Sequence, residues 1–350
     1  MKSAERIFAA LHGQTPDQVP ILEWFVHPKV REALFPGASW PDFVDQIGLD
    51  AITALFLYEG TFKEESIGPK KMINEWGVTM GVTDEHKAPI DGPIKTLEDA
   101  KHYIPPDPQA SYRLGNMPAY VQRFKGEKAV IWCQRAEFMW AADLMRLDNL
   151  LVSFLEDKSL AHEVLEIVTE FAIALARRAI REGADVVMLG DDYAYNSGPM
   201  MSPKVFKEFI QPNLSRVVRA VKEEGAFCVK HSDGNLWPIL DMIVETGVDA
   251  INPLEPVAGM DIAEVKKKYG HLVCLIGNID CGNLLSHGTK EEVVSTVKDT
   301  LLKAAPGGGY IMSSSNTIHS SVNPENYKAM INATHQFGSY PLEIDHQPNK

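Results

Sequence analysis

The sequence lacks any apolar run long enough to anchor a protein in a membrane. No stretch approaches the roughly 20 consecutive apolar residues of a membrane-spanning helix. The first residues, MKSAERIFAALHGQ, have the pattern of an amphipathic helix with scattered charges and no uninterrupted apolar segment. That is not the pattern of a signal peptide. We therefore expect a cytoplasmic protein that does not associate with membranes.

Basic residues and cysteines are also scarce. The chain of 350 residues has 34 Lys and Arg against 47 Asp and Glu, a net charge of -13. A surface with this charge excludes unaided binding to nucleic acid, because phosphate contacts need a basic face. The 4 cysteines show no paired spacing, which indicates a reducing compartment without a disulfide framework.

A glycine-rich dinucleotide fingerprint is missing after the first apolar run, which disfavours a doubly wound nucleotide-binding sheet. What the sequence does contain is eight apolar runs of strand length, separated by longer segments with helical periodicity. Several helical segments end in glycine before the next run, where a left-handed helix cap is expected. The runs are VPILEWF (19–25), AITALFL (51–57), KAVIWC (128–133), ADVVMLG (184–190), AFCVKH (226–231), DAINPL (249–254), LVCLIG (272–277) and GYIMSS (309–314).

This repetition of strand and helix predicts an α/β fold, namely a (β/α)8 TIM barrel with an N-terminal helical extension. We expect residues 1–350 to form a single domain. An insertion at about residues 59–126, after the second strand, would form a small hairpin or lid. A doubly wound sheet is the competing architecture.

Polar side chains follow every predicted strand, and active sites of such barrels lie at the carboxyl ends of the strands. Adjacent Asp191 and Asp192 repel each other, and burial would raise the pKa of at least one unless a cation such as Arg135 compensates. The sequence leaves open which of the two aspartates faces the pocket. The candidate site residues are Glu23, Trp24, Tyr58, Arg135, Asp191, Asp192, Tyr193, His231, Asp233, Asn252, Asn278 and Asn316.

Several motifs in order resemble the uroporphyrinogen decarboxylase superfamily. They are AERIFAALHGQTPDQVPI, GDDYAYNSGPMMSPKVFKEFIQPNLSRVV, VKHSDGNLWPILDMIVETGVDAINPLEP, LIGNID and APGGGYIMSSSNTIHSSVNPENYKAM. The resemblance implies a (β/α)8 barrel. The decarboxylases of this superfamily carry an RQAGR segment that binds the acidic arms of a tetrapyrrole. Here that region is LEWFVHPKVREALFPG, without the arginine pair, which argues against a substrate with many carboxylates.

The other arm of the superfamily contains methyltransferases that work with a corrinoid protein. Familiar members bind zinc through a His-x-Cys pair after the fifth strand and a cysteine after the eighth. Here the pair is His231 and Asp233, and the last position falls near Asn316, so only the histidine is retained. Zinc with thiolates activates a thiol substrate, and the loss of both cysteines therefore argues against a thiol acceptor.

The resemblance therefore implies transfer of a methyl group from a small substrate, an aromatic methyl ether, to the cobalt of a corrinoid (cobalamin) held by a partner protein. Catalysis would involve His231, Asp233, Asp191, Asp192 and Glu23, with His231 giving a proton or hydrogen bond to the leaving oxygen. A zinc ion on His231, Asp233 and a carboxylate such as Glu23 is a second option. The remaining candidates, Trp24, Tyr58, Arg135, Tyr193, Asn252, Asn278 and Asn316, would contact the substrate.

Two other functions stay open at this point. One is a decarboxylase or other lyase on a different carboxylated substrate, with Asp191 stabilising a protonated intermediate. The other is a non-catalytic binder of a tetrapyrrole or corrinoid, which the many ionisable groups at strand ends disfavour. The sequence does not fix the oligomeric state, and a homodimer is one option.

Overall fold

The computed structural model of the protein describes residues 1–56, 63–82 and 87–343. Among the described helices, none combines the length and the apolar character that a membrane crossing requires. The strands are β1 (Ala51–Leu55), β2 (Glu64–Gly68), β3 (Lys71–Asn74), β4 (Thr79–Val82), β5 (Lys87–Asp91), β6 (Ala129–Gln134), β7 (Val186–Gly190), β8 (Ala194–Tyr195), β9 (Gly198–Pro199), β10 (Phe227–His231), β11 (Ala250–Asn252), β12 (Cys274–Ile279) and β13 (Tyr310–Ser314).

The helices lie mostly between these strands. A π-helical turn at Phe206–Ile210 joins α9 to α10, where Pro212 has no N–H to donate to the preceding turn. The α-helices are α1 (Ser3–Leu11), α2 (Pro28–Leu34), α3 (Trp40–Ile47), α4 (Leu97–His102), α5 (Met117–Phe124), α6 (Phe138–Met145), α7 (Leu147–Glu156), α8 (Lys158–Arg181), α9 (Pro203–Val205), α10 (Gln211–Glu223), α11 (Leu240–Glu245), α12 (Ile262–Tyr269), α13 (Leu284–His287), α14 (Lys290–Ala304) and α15 (Pro324–Phe337).

Seven parallel strands form one curved sheet in the order β1, β6, β7, β10, β11, β12 and β13. They correspond to seven of the eight predicted apolar runs. Glycines end the helices that precede them, and Gly225 and Gly247 have the positive φ angles of left-handed caps (83° and 87°). The predicted alternation of helix, glycine and strand is confirmed in this part of the chain.

The first predicted strand, residues 19–25, differs from the other seven because it forms no regular strand. It still lies between β13 and β1. The Leu22 N–H donates to a β13 carbonyl (3.0 Å), and the Ile21 carbonyl accepts from the Asp50 N–H (2.9 Å). Pro20 has no N–H, and the Ile21 N–H is bonded to the Asp50 carboxylate at 2.8 Å instead of to a strand. We call residues 19–25 the closing segment, because they complete the predicted (β/α)8 barrel.

Side chains along each barrel strand alternate between two cores. Met188 and Val229 point into the barrel, where they pack with Ile7 and Leu11 of α1. The N-terminal helix predicted from the sequence therefore closes the amino end of the barrel. Their neighbours on the strands, such as Leu189, point outward into the larger core between the sheet and the helices. The same alternation decides which polar side chains at the strand ends reach the barrel mouth.

The insertion after β1 contains more than the predicted hairpin. Strands β2 to β5 form a four-stranded antiparallel sheet, which is followed by α4 and α5. The indole of Trp76 is buried against the Trp140 ring at 5.4 Å and the Phe171 ring at 4.6 Å. An ion pair between Glu75 and the buried Arg113 holds the same region (3.1 Å for Nη2 and Oε2). The ring contacts attach the antiparallel sheet to α6 and α8 beside the barrel, and the ion pair attaches it to the turn before α5.

Candidate active site

A pocket of about 230 Å³ lies at the carboxyl ends of the barrel strands. Three polar residues on its floor, Asp192, His231 and Asp233, offer donor atoms that all lie within 4.8 Å of one another. We call these three residues the pocket triad. The rest of the lining is largely apolar and includes Trp24, Leu55, Phe56, Cys133, Met139 and Met188. A small apolar pocket with a few convergent polar groups is the usual form of a small-molecule site.

The two sides of the strands decide which aspartate of the adjacent pair faces the pocket. Met188 and Gly190 of β7 face the barrel interior, so Asp192, two residues further, faces the same way. Asp191 points to the opposite side and is fully buried. The question left open by the sequence is thus answered by the alternation of the strand.

His231 is the centre of the pocket triad. Its Nε2 lies 3.8 Å from Asp192 Oδ1 and 3.6 Å from Asp233 Oδ1. Its Nδ1 lies 2.5 Å from Oδ1 of Asn252, whose Nδ2 is 3.4 Å from the Ile276 carbonyl. Because the Asn252 amide donates to that carbonyl, its oxygen accepts from Nδ1–H of His231. The neutral imidazole therefore presents the Nε2 lone pair to the two carboxylates, and its protonated form presents an N–H.

Asp233 is held by three segments of chain. Its N–H donates to Asp192 Oδ1 (3.0 Å), and the Asn316 side-chain amide donates to its Oδ2. Gly234, which follows, has φ 85°, and a Cβ there would lie 2.6 Å from the Ala194 backbone, so the loop packs directly on the β8–β9 hairpin. Burial raises the pKa of Asp233 to about 6, although the His231 charge opposes the rise.

The donor atoms of the pocket triad are suited to a divalent cation. Asp233 Oδ1 is buried without a hydrogen-bond donor, and the His231 Nε2 lone pair and Asp192 Oδ1 converge beside it. One nitrogen and two oxygens form a ligand set that zinc accepts. Asn252 would then act as the partner that orients a histidine ligand. Glu23, the carboxylate expected to complete such a site, is elsewhere.

A second polar cluster lies directly behind the pocket, on the outward side of the same strands. Both oxygens of Asp191 accept backbone N–H groups, at 3.1 Å from Ala136 and 2.6 Å from Phe138. The buried Lys230 ammonium donates to the Asp191 and His231 carbonyls at 2.6 and 2.5 Å. The Tyr193 hydroxyl donates to Glu137 Oε1 at 2.6 Å. We call Glu137, Asp191, Tyr193 and Lys230 the buried network.

Burial dominates the protonation equilibria of the buried network. Burial raises the pKa of Glu137 to about 8, and the nearby charge of Asp191 adds to that rise. Burial also raises the pKa of Asp191, although the Lys230 charge opposes it. The pKa of Lys230 itself is lowered by burial. The network thus fixes the ends of β7 and β10 on which the pocket triad stands.

Several predicted site residues lie away from the pocket, each for a physical reason. Glu23 points outward and accepts from the N–H and hydroxyl of Ser314 (2.9 and 2.8 Å). Tyr193 is fully buried in the network, so its expected contact with a substrate is corrected to a structural one. The Asn278 amide donates to the Leu254 carbonyl (2.9 Å). Tyr58 lies outside the described residues.

Other predictions place residues at the pocket. Trp24, Arg135 and Asn316 line it, and the Trp24 ring lies 5.0 Å from the His231 ring. The Arg135 guanidinium is paired with Asp143, and its charge lowers the pKa of Asp191 less than the Lys230 charge does. The cation beside Asp191 is Lys230 instead, which the sequence interpretation missed. A lysine inside an apolar strand run, FCVKH, is the sequence pattern that indicates such a partner.

A family model described as uroporphyrinogen decarboxylase (URO-D) matches residues 2–337 of the chain. This chain belongs to the uroporphyrinogen decarboxylase family. Membership agrees with the resemblance of the sequence motifs and with the barrel.

Methyltransferases and decarboxylases both occur among the relatives of this chain. The chain is 27% identical over 345 residues to a methylcobamide:CoM methyltransferase MtaA from Methanosarcina barkeri, with 95% of this chain and 97% of that protein covered. It is 24% identical over 278 residues to a uroporphyrinogen decarboxylase from Mannheimia succiniciproducens, with 75% and 74% covered. Among solved structures, a methyltransferase from Methanosarcina mazei superposes with a TM-score of 0.77 at 21% identity, covering 96% of this chain and 99% of that one. The last likeness supports the barrel fold of the family.

Proposed function

We propose that this protein is a methyltransferase that moves a methyl group from a small aromatic methyl ether to the cobalt of a corrinoid on a separate protein. The observation that carries the proposal is the pocket triad on the floor of a small, largely apolar pocket with an aromatic wall. The similarity to a methylcobamide:CoM methyltransferase over nearly the whole chain supports the corrinoid. That a separate protein carries the corrinoid is part of the same proposal.

An ether gives up its methyl group only if the leaving oxygen is stabilised. The oxygen keeps the electron pair of the broken carbon–oxygen bond, and it becomes a neutral hydroxyl when it receives a proton. The new bond to the methyl carbon would take its electron pair from the reduced cobalt of the partner's corrinoid, which is the methyl acceptor. His231, in its protonated form, carries an N–H on Nε2 that Asp192 and Asp233 stabilise from 3.8 and 3.6 Å. The pocket triad can therefore deliver the proton that the reaction needs.

A divalent metal ion would stabilise the leaving oxygen by its positive charge, in place of the proton. Asp192, His231 and Asp233 would hold it through Oδ1, Nε2 and Oδ1, and it would polarise the ether oxygen as a Lewis acid. In either case Asn252 keeps the His231 ring in one orientation. The largely apolar lining lowers the local polarity, which strengthens the interaction between the charge and the oxygen.

Transfer to a thiol, the activity in the name of the methanogen relative, suits this pocket less well. Cys133 is the cysteine that lines it, and burial raises the pKa of that thiol well above its usual range. A thiol substrate would also have to lose its proton beside two carboxylates. Carboxylates raise the pKa of a neighbouring thiol. The pocket triad is therefore better suited to protonate a leaving oxygen than to deprotonate a thiol.

The test measures methyl transfer from methoxybenzene to free cob(I)alamin by the change in the corrinoid absorption spectrum. Purified protein is assayed before and after dialysis against a chelator, and its zinc content is measured in both samples. We expect demethylation in the untreated sample. Loss of activity together with about one equivalent of metal would assign the charge to an ion, and full activity without metal would assign it to His231.

Two parallel assays distinguish other functions. One follows methyl transfer from methylcobalamin to coenzyme M, and the other follows release of carbon dioxide from carboxylated aromatic substrates. Methylation of the thiol without demethylation of any ether would replace the proposed direction of transfer. Release of carbon dioxide without methyl transfer would identify a lyase.

A further inference from the structure

Gly190, the last residue of β7, lines the pocket without any need of the backbone for a glycine. Glycine is required where φ is positive or where another backbone atom comes too close for a Cβ. The φ angle of Gly190 lies outside the left-handed region. Among the described residues, apart from its chain neighbours, a Cβ at Gly190 would have one atom within 4 Å, the Gln134 carbonyl oxygen at an ordinary 3.8 Å.

Two other glycines near the strand ends show the contrast. Gly234 has φ 85°, and a Cβ there would lie 2.6 Å from the Ala194 backbone. Gly277 has φ 145°, and the Pro253 carbonyl occupies the position of its Cβ. A side chain at either residue would strain or displace the backbone, so the fold itself requires glycine there. The fold does not require glycine at residue 190, where it only weakens the strand, and a glycine of this kind marks the close approach of a ligand.

The register of the sheet places Gly190 directly beside the catalytic histidine. Gly190 pairs laterally with His231 on β10, and His231 pairs with Asn252 on β11. Residues that pair laterally point to the same side of a sheet, so these three form one row that faces the barrel interior. The Asn252 side chain occupies one flank of the His231 ring, where its oxygen bonds Nδ1. On the other flank β7 contributes no side chain, which leaves open space beside the imidazole.

The open space beside the imidazole is apolar and has the size of one ring. Along β7 it lies between Met188, which is buried in the inner core, and Asp192 at the mouth. The Met139 side chain of α6 adds a further apolar wall. An apolar cavity of about 150 Å³ binds benzene. The pocket, with about 230 Å³, therefore has room for one aromatic ring together with a methoxy group.

We propose that Gly190 determines the substrate specificity of the pocket, because its missing side chain leaves the space that the ring of the methyl donor occupies beside His231. The inference rests on the proposed function and adds to it, because it assigns the ring a position. The ether oxygen is bonded directly to the ring, so a ring beside the imidazole brings that oxygen towards the proton donor. A side chain at residue 190 would fill the space, and the pocket would then favour smaller methyl donors.

The experiment measures binding of methoxybenzene to the full-length protein by calorimetry, without corrinoid and without turnover. The variants are Gly190→Ala and Gly190→Val. The matched control is Gly282→Ala, at an exposed glycine outside the pocket lining, where a Cβ would lie 3.4 Å from the Asp280 carboxylate. We expect Gly190→Val to weaken binding at least about tenfold and Gly190→Ala severalfold, because each added carbon overfills the pocket. Gly282→Ala should bind like the wild type.

Urea unfolding of each variant separates the loss of space from a loss of structure. Gly190→Ala should be at least as stable as the wild type, because alanine is more favourable than glycine within a strand. Weaker binding at undiminished stability supports the proposal. Equal affinity in a folded Gly190→Val and the wild type, or a loss of binding that parallels a loss of stability, would overturn it. If Gly190→Val does not fold, the same comparison is made with Gly190→Ala.

Turnover separates this inference from the proposed function. Wild type and Gly190→Val are compared on methoxybenzene and on the smaller dimethyl ether, with cob(I)alamin as acceptor. The ratio of kcat/KM for methoxybenzene to that for dimethyl ether should fall at least about tenfold in the variant. Demethylation of both ethers with an unchanged ratio contradicts the role of Gly190 and leaves the methyltransferase intact. Binding of methoxybenzene that depends on Gly190, without demethylation of either ether, supports that role and contradicts the methyltransferase.

Discussion

The pocket triad and the buried network stand on the same strand ends but differ in how their polar groups are satisfied. In the network, both oxygens of Asp191 accept backbone N–H groups and the Lys230 ammonium donates to carbonyls of β7, β10 and their loops. In the triad, Asp233 Oδ1 has no donor, and His231 Nε2 faces the pocket. Glu137 Oε2 in the network is also buried without a partner, but Glu137 does not line the pocket. Satisfied groups such as Asp191 hold a structure, whereas unsatisfied groups that converge in a pocket are available to a ligand.

A single step along the chain separates the two roles. Asp191 and Asp192 are neighbours on one strand end, and Lys230 and His231 are neighbours on the next. Because adjacent side chains of a strand point to opposite faces, one of each pair enters the pocket and the other enters the outer core. The comparison teaches that charge at a strand end is evidence of function only when its side of the sheet is known. Three predictions test that separation.

The largest effect is expected for His231→Ala. Loss of the central group of the pocket triad should lower methyl transfer to cob(I)alamin about a hundredfold, the usual contribution of a proton donor or metal ligand. The free energy of unfolding in urea should fall by about 1–3 kcal/mol, because the buried Asn252 oxygen loses its donor. Unchanged turnover in a folded variant would remove His231 from the mechanism.

The adjacent aspartates provide a matched pair of substitutions. Asp192→Asn should lower methyl transfer at least about tenfold, because it removes a charge beside His231, with little change in stability. Asp191→Asn should instead lower the free energy of unfolding by about 2 kcal/mol, because one of two buried N–H groups loses its acceptor. Rate and urea unfolding are measured for both. A catalytic defect in Asp191→Asn without a stability defect would contradict the separation of roles.

The smallest effect on methyl transfer is expected from the buried network. There the expected change is a pH dependence of the free energy of unfolding. The pKa of Glu137 is raised from 4.5 to about 8 in the folded protein, so the folded state holds a proton that the unfolded state has already lost in that range. Stability should therefore fall as pH rises from about 4.5 to 8 and should level off above that. Urea unfolding at several pH values measures it. In Glu137→Gln this fall should become smaller without vanishing, because burial also raises the pKa of Glu23 to about 8. An undiminished fall in that variant would contradict the contribution of Glu137.

The sequence was sufficient for most of the fold, because strand and helix periods are local properties. The strand predicted at residues 19–25 is not regular in the structure, and this difference has a local cause as well. The run is apolar like the others, but Pro20 lacks an N–H and the side chain of Asp50 occupies the N–H of Ile21. An apolar pattern shows that a segment is buried, and it does not show which atoms satisfy the backbone.

The site was predictable only in part. His231, Asp233 and Asp192 come from strand ends and meet as expected, and the period of two from Met188 through Gly190 would have selected Asp192 over Asp191. The partners of these residues were less accessible. Glu137 contacts Tyr193 across 56 residues of chain. Asn316 donates to Asp233 across 83 residues of chain. Such contacts depend on how helices pack around the barrel, which local patterns do not contain.

The closing segment has one more consequence, for how the barrel can change. Seven strands share a continuous ladder, in which a substitution disturbs two neighbours at once. The closing segment is tied by a few separate bonds, including those from the Thr53 hydroxyl to the Trp24 carbonyl (2.7 Å) and from the Trp24 indole to the Asn316 carbonyl (3.0 Å). Trp24 also lines the pocket beside the His231 ring. Substitutions in the closing segment can therefore change the shape of the substrate that the enzyme admits, both in evolution and in protein engineering. The seven-strand ladder that sustains the fold is left intact.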